Sequence, residues 1–246
     1  MNNDILTIMW KENKGLFRFS DNRWKGLSTL ITPIVVFGVI LPIQLSDEWL
    51  TGFWSIIVAF FTPMIMIATT IAESFAGERE RHTLETLLAS RLPDRAILFG
   101  KILTSILFSW GVTFLLLCVS LIVANLMVGG DGFQIYQANI LWMDILGSLL
   151  VAGLVSGFGI VISLRSATVQ SASQIIMGML FLPVLLLQAV VFLLPVFLPK
   201  AAIQAILDKL NFTNIMMVVL AAILVADVIL FLGAVSRFQH SRLILS

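Results

Sequence analysis

Side chains suited to acid–base, nucleophilic or metal chemistry are few in this chain of 246 residues. His82 and His240 are its two histidines and Cys118 its one cysteine. Neither histidine has a cysteine or aspartate at ligand spacing, so no metal site is expected. Cys118 sits in the middle of an apolar run and has no partner for a disulfide. The ionisable groups Asp227 and Glu73 also fall in apolar runs, without a histidine beside them. That inventory excludes a metalloprotease or a cysteine–histidine pair. No phosphate loop is present either, because Gly100-Lys101 lacks the upstream glycine and the following hydroxyl residue. The chain is therefore expected to be no enzyme, to hold no cofactor or metal, and to contact no nucleic acid.

The charge that does exist is gathered. GERERHTLETLLASRLPDRAILFGK, residues 77–101, holds nine of the 29 charged residues. Glu78, Arg79, Glu80, Arg81 and Glu85 stand at spacings that let them pair with one another along a helix. Leu84, Leu87 and Leu88 line one side and Leu92 follows, before Pro93 ends the helix. The stretch reads as a short amphipathic helix over 77–92, with a leucine stripe of the kind that fits a helix-in-groove contact. A solvated hairpin resting on the membrane is the plainer reading of the same pattern.

The elements that must hold this stretch are oily. Apolar residues make up 59% of the chain and the mean hydropathy is +1.03. Continuous apolar runs of roughly 20 residues recur, the length at which a helix crosses the hydrocarbon core. The expected fold is an all-α integral membrane protein with six transmembrane helices near 27–45, 53–74, 96–127, 145–164, 172–198 and 215–235. The six-span domain covers 26–236, between an N-terminal interfacial helix in 1–25 and a tail of 237–246. Thirteen of the fifteen Lys and Arg residues lie on one side of this arrangement, leaving Lys200 and Lys209 on the other. By the positive-inside rule both termini and residues 77–101 are cytoplasmic. The expected location is the plasma (inner) membrane, and no cleaved leader is expected.

The N-terminal segment places Ile5, Ile8 and Met9 on one face, with Trp10 at its edge and Lys11, Glu12 and Lys14 polar, as in a helix lying at the inner leaflet. Ile203, Ile206, Leu207 and Leu210 predict a second short amphipathic helix on the outer side. Trp49, Trp54 and Trp142 are expected at the outer interface. Asp144 is expected as a charge at the start of the fourth span, and Glu73 at the base of the 77–92 helix. Gly153 and Gly157 form a small-xxx-small pair suited to close helix packing. Asp227, near the middle of the sixth span, is a candidate intramembrane polar site, or a hydrogen-bonded tie to a neighbour. Thr62, Thr69, Thr70, Gln174 and Gln188 put polar groups into the second and fifth spans, which Pro63, Pro183 and Pro195 interrupt.

Read in order, E-R-E-R-H-T-L-E-T-L-L-A-S and then D-R-A-I-L-F-G-K resemble the signature of type-2 ABC exporter permeases. Thr83, Leu84, Glu85, Leu87, Leu88, Gly100 and Lys101 carry the likeness. His82 departs from it, standing where that family usually has glycine, and so do Arg91 and Pro93. The resemblance implies that 77–92 is a coupling helix that docks on a separate ATP-hydrolysing subunit. Its docking residues would be Glu78, Arg79, Glu80, Arg81, Thr83, Leu84, Glu85, Leu87, Leu88 and Arg91. It further implies two ATPase subunits per complex, a second permease (identical or homologous), and ATP and magnesium bound on the ATPase. The transport route would run along Thr62, Thr69, Thr70, Gln174 and Gln188. Two rival readings fit the residues: an ion-coupled secondary transporter using Asp227, and a non-transporting membrane scaffold.

Overall fold

The computed structural model describes residues 2–17, 31–45, 47–83, 93–128, 132–199 and 212–237. The described residues form helices joined by short turns, with no strand among them. In chain order these are α1 (Asn2–Phe17), α2 (Ile31–Leu45), α3 (Asp47–Thr51), α4 (Trp54–Glu80), α5 (Asp94–Val128), α6 (Ala138–Ser163), α7 (Val169–Phe197) and α8 (Phe212–Arg237). Five of them, α4 to α8, are long and apolar enough to cross a membrane. The segment expected as the first span is described from residue 31 only. There it is the shorter apolar helix α2, which carries a π-helical turn at Val36–Ile40. Residues 84–92 and 200–211, which hold most of the expected coupling helix and the outer amphipathic helix, lie outside the described residues.

Continuous apolar sequence makes these helices and small side chains bring them together. α4 is the central element, packed against α5, α6 and α7. Its Ile67, Ala68, Ile71, Ala72 and Phe75 form one core with Ile97 and Ile102 of α5, Val151, Ala152 and Val155 of α6, and Ala172 and Ile176 of α7. A second core near the start of α4 joins Trp49, Leu50 and Ile56 to Leu116 and Leu117 of α5 and to Tyr136 and Ile140. Two expectations are corrected in this region. Trp49 is no interface anchor: it is fully buried, and its indole Nε1 donates to Tyr136 Oη at 3.0 Å. Tyr136 Oη also lies 2.7 Å from Ser120 Oγ, and burial pushes its phenol up to about 12, so it stays a neutral donor. Asp144 is not a charge at a helix start, because α6 begins at Ala138 and Asp144 lies inside it, fully buried.

Glycines set the closest approaches. A Cβ on Gly153 would sit 3.0 Å from Asp227 Oδ2, and one on Gly157 would sit 3.0 Å from Leu230 Cβ. The small-xxx-small pair of α6 is thus the groove that receives α8, as its spacing predicts. Gly100 does the same for α1. A Cβ there would fall 2.7 Å from Ile8 Cγ2, so α1 lies directly on α5 and buries Ile8 to 3% exposure. The Ile5–Ile8 face expected against the membrane is therefore turned onto protein, while Leu6 and Trp10 are exposed.

The exit of α4 explains the departure at His82. Its φ is 55°, the left-handed region that favours glycine. The His82 amide donates to the Arg79 carbonyl at 3.0 Å and the Thr83 amide to the Glu78 carbonyl at 2.9 Å. These two bonds form a Schellman turn, which satisfies the last carbonyls of the helix and stops it at Glu80. A glycine fits that backbone, and histidine occupies it at a steric cost of about 1–2 kcal/mol.

Two outcomes follow from this packing. Gly100→Val should lift α1 from α5, lower stability by about 1–3 kcal/mol and speed proteolysis of the N-terminal segment. A thermal midpoint in detergent equal to the parent's would show that α1 does not depend on this contact. His82→Gly should leave the turn in place and raise the midpoint, by at most about 1 kcal/mol of stability. A lowered midpoint would mean that the imidazole has a binding role at the turn.

Candidate functional site

The stretch rich in charge begins as the last turn of α4, and three consecutive residues there each reach a different element. Their expected pairing with one another gives way to these longer connections. Glu78 turns toward α5 and α1. Its Oε2 lies 2.9 Å from Lys101 Nζ, and its Oε1 accepts from Lys11 Nζ at 3.2 Å. Arg79 turns toward the end of α6, where its Nη1 donates to the Leu164 carbonyl at 2.6 Å. That carbonyl belongs to the residue capping the C-terminus of α6, which lacks an intrahelical partner and sits at the negative end of the helix dipole. Glu80 turns toward the start of α7, and its Oε2 accepts from the Val169 amide at 3.0 Å. Val169 is the first residue of α7, so this carboxylate meets the positive end of that dipole. Thr168 completes the cap, its hydroxyl accepting from the Ser171 amide at 3.2 Å. One basic and one acidic neighbour on α4 thereby hold both ends of the α6–α7 turn. Ser163 supports the same seam, its Oγ accepting from the Ala76 amide at 2.9 Å.

Lys101 is the centre of the arrangement. Its side chain has no exposure, yet its ammonium meets four oxygens: the Ser74 carbonyl at 2.6 Å, Ser74 Oγ at 3.2 Å, Glu12 Oε1 at 3.2 Å and Glu78 Oε2 at 2.9 Å. The contact with Glu78 Oε2 is an ion contact off the line of a hydrogen bond. The Phe75 ring lies beneath, its centroid 5.2 Å from Nζ. Glu12 is held in turn by Ser74 Oγ, which donates to its Oε2 at 2.9 Å. Two carboxylates, one buried ammonium and the half-exposed Lys11 balance to zero charge and join α1, α4 and α5. A buried ammonium persists only with such compensation, and removing one partner of a buried pair typically costs about 3–5 kcal/mol. The more exposed Lys11–Glu78 contact contributes under about 1 kcal/mol.

The other expected site residues fall in different places. Arg81 and Thr83 are exposed at the turn after α4. Leu84, Glu85, Leu87, Leu88 and Arg91 lie outside the described residues, between that turn and Pro93, whose carbonyl accepts from the amides of Ala96 and Ile97 to start α5. Glu73, expected at the base of the cluster, is exposed, and Glu12 occupies that place. Thr62 and Thr70 are buried and donate to carbonyls of their own helix, those of Val58 at 2.8 Å and Ile67 at 3.4 Å. Thr69 is partly buried and donates to the Met66 carbonyl at 2.9 Å. Gln174 and Gln188 are exposed on α7. Thr62 and Thr70 are thus enclosed by the bundle, whereas Gln174 and Gln188 stand at its surface. Asp227 is half-buried against Gly153, and its Oδ1 has no hydrogen-bond partner among the described residues.

Sequence reasoning missed Glu12, Lys11 and Ser74, and noticed Lys101 only as half of a Gly-Lys pair. The structure gives both members of that pair a task. Gly100 admits α1, and Lys101 fixes it there.

No curated protein is similar enough to this chain to count as a match. The family model of the ABC-2 type transporter, however, matches residues 3–183. That range takes in α1, the charged turn of α4, the buried Lys101 and the α6–α7 turn that Arg79 and Glu80 hold. The chain belongs to the ABC-2 type transporter family, as a multi-pass membrane permease.

Proposed function

We propose that this chain is the permease subunit of an ABC exporter, driven through residues 77–92 by a separate ATPase. One observation carries the reading most directly. The segment that would dock on the ATPase leaves from the one helical turn to which α1, α5, α6 and α7 are all tied. A push on Thr83 and the residues after it therefore moves the inner ends of these helices together. Leu84, Leu87 and Leu88 would grip a groove in the ATPase, and Glu85, Arg81 and Arg91 would orient the contact by charge. Glu78, Arg79 and Glu80 take a different part from the docking first expected of them, since they transmit the push to the rest of the fold.

The complete assembly in this reading has two ATPase subunits, which bind ATP and magnesium, and a second permease, either a copy of this chain or a homologue. Six spans cross the inner membrane with both termini in the cytoplasm, and α2 is the described part of the first. The positive-inside distribution supports that orientation. The exposed faces of α7 and α8 leave room for lipid and for the second permease, and Gln174 and Gln188, exposed on α7, are the polar groups that would meet a passenger in this reading. Family membership favours this ATP-driven reading over an ion-driven one in which Asp227 carries the coupling ion.

Glu85→Lys should abolish ATP-dependent transport in vesicles while membrane insertion stays normal. Transport at the parental rate would remove the docking role from this segment. Lys101→Met should destabilise the chain by about 3–5 kcal/mol and uncouple ATP hydrolysis from transport. Adding Glu12→Gln and Glu78→Gln to Lys101→Met removes the stranded charges, and should recover most of the thermal midpoint without recovering coupling. Full recovery of coupling in the triple variant would show that the ion cluster only stabilises the fold.

A further inference from the structure

The buried polar groups at the far end of α4 have no part in the docking arrangement. Ser55 is the second residue of α4, and Glu78 lies in its last turn. At 1.5 Å per residue the two are separated by roughly 35 Å. Ser55 and Asp144 of α6 are both fully buried, at 0% exposure, and face one another across the α4–α6 seam. Ser55 Oγ and both carboxylate oxygens of Asp144 lack hydrogen-bond partners in the surrounding structure, as far as the described residues go. No lysine, arginine or histidine among the described residues faces Asp144 from the elements around it. The titratable group on which an Asp144 charge would act is the Tyr136 phenol, which is neutral and offers no countercharge. An ionised carboxylate enclosed in this way, inside a membrane-spanning bundle, has neither water nor a countercharge. A hard metal cation would need about six oxygen ligands, and this seam offers three. A proton needs only the carboxylate and one acceptor.

We propose that Asp144 is a proton-binding site. It is held as the neutral acid against Ser55 while α4 and α6 are packed together, and it gives the proton to water when the Ser55 end of α4 parts from α6 while the opposite ends, tied through Arg79 and Ser163, move as one. In the closed state the acid O–H donates to Ser55 Oγ. In the open state that O–H bond breaks, leaving the carboxylate on Asp144 and a hydronium ion in the water admitted to the seam. The first half, the neutral acid, rests on the enclosure of Asp144 without a countercharge. The second rests on the reading of α4 as the element that the ATPase moves.

Infrared difference spectra of the full chain in lipid nanodiscs at neutral pH test the first half. The parent should show a protonated-carboxyl band that Asp144→Asn removes and Asp227→Asn leaves in place. Ser55→Ala keeps the acid but takes away its acceptor, so the band should move to higher frequency. Identical spectra for the parent and Asp144→Asn in this band would overturn the proposal. So would an ionised-carboxylate band, assigned by the same variant, that responds to sodium or potassium. For the second half, the band should shrink when the chain is assembled with its ATPase and locked with a non-hydrolysable ATP analogue. A band of constant intensity in an assembly that does hydrolyse ATP would overturn proton release. Failure of any ATPase to assemble would count against the exporter reading, and leaves the nanodisc spectra to decide the proton site.

Discussion

A lysine that carries its charge with no exposure to water constrains everything around it. Lys101 of α5 needs oxygens around its ammonium, and they come from two other helices far apart in sequence: Glu12 of α1, and Ser74 and Glu78 of α4. Because leaving any of these charges unpaired is costly, the three helices keep one mutual register. Glycine at the preceding position lets α1 come close enough for Glu12 to reach. The next two residues of α4 extend the constraint. Arg79 meets the partial negative charge at the end of α6, and Glu80 the partial positive charge at the start of α7. An alternation of signs that looks like a solvated helical face in the sequence is instead a set of addressed contacts.

Much of the architecture was legible in the sequence because oil and water sort strongly. The long apolar runs marked α4 to α8, and the helix borders differ from the expected ones mostly where polar residues continue a helix beyond the hydrocarbon, as Gly77–Glu80 continue α4. The pairing of Gly153 and Gly157 with α8 followed from a local spacing. The ion cluster was not legible. Its members stand at positions 12, 74, 78 and 101, Glu12 at least 62 residues from the others, and no periodicity links them. Proximity to a single charge pattern also misled. Asp144 near the start of an apolar run looks like a dipole partner, but the helix begins earlier and turns that side chain inward. Trp49 looks like an interface anchor, although its indole has a phenol partner in the core.

The resemblance to exporter permeases rested on a few residues, and the structure explains two of its details physically. The position before Thr83 needs a left-handed backbone, which is why glycine suits it and why histidine there keeps the turn at a cost. The Gly-Lys pair is a close approach followed by a buried cation, so its two residues work together. The segment between Thr83 and Pro93 is thus fixed at both ends, by a Schellman turn on one side and by the first turn of α5 on the other.

The source of the ammonium also imposes an order of assembly. Glu12 leaves the ribosome long before residue 101 does, and until then its carboxylate has no lysine to meet and Ile8 no Gly100 to lie against. The first helix therefore cannot take its final seat until α4 and α5 have come together. Its seating is a late event in biogenesis, one that marks a chain in which Lys101 has found its oxygens.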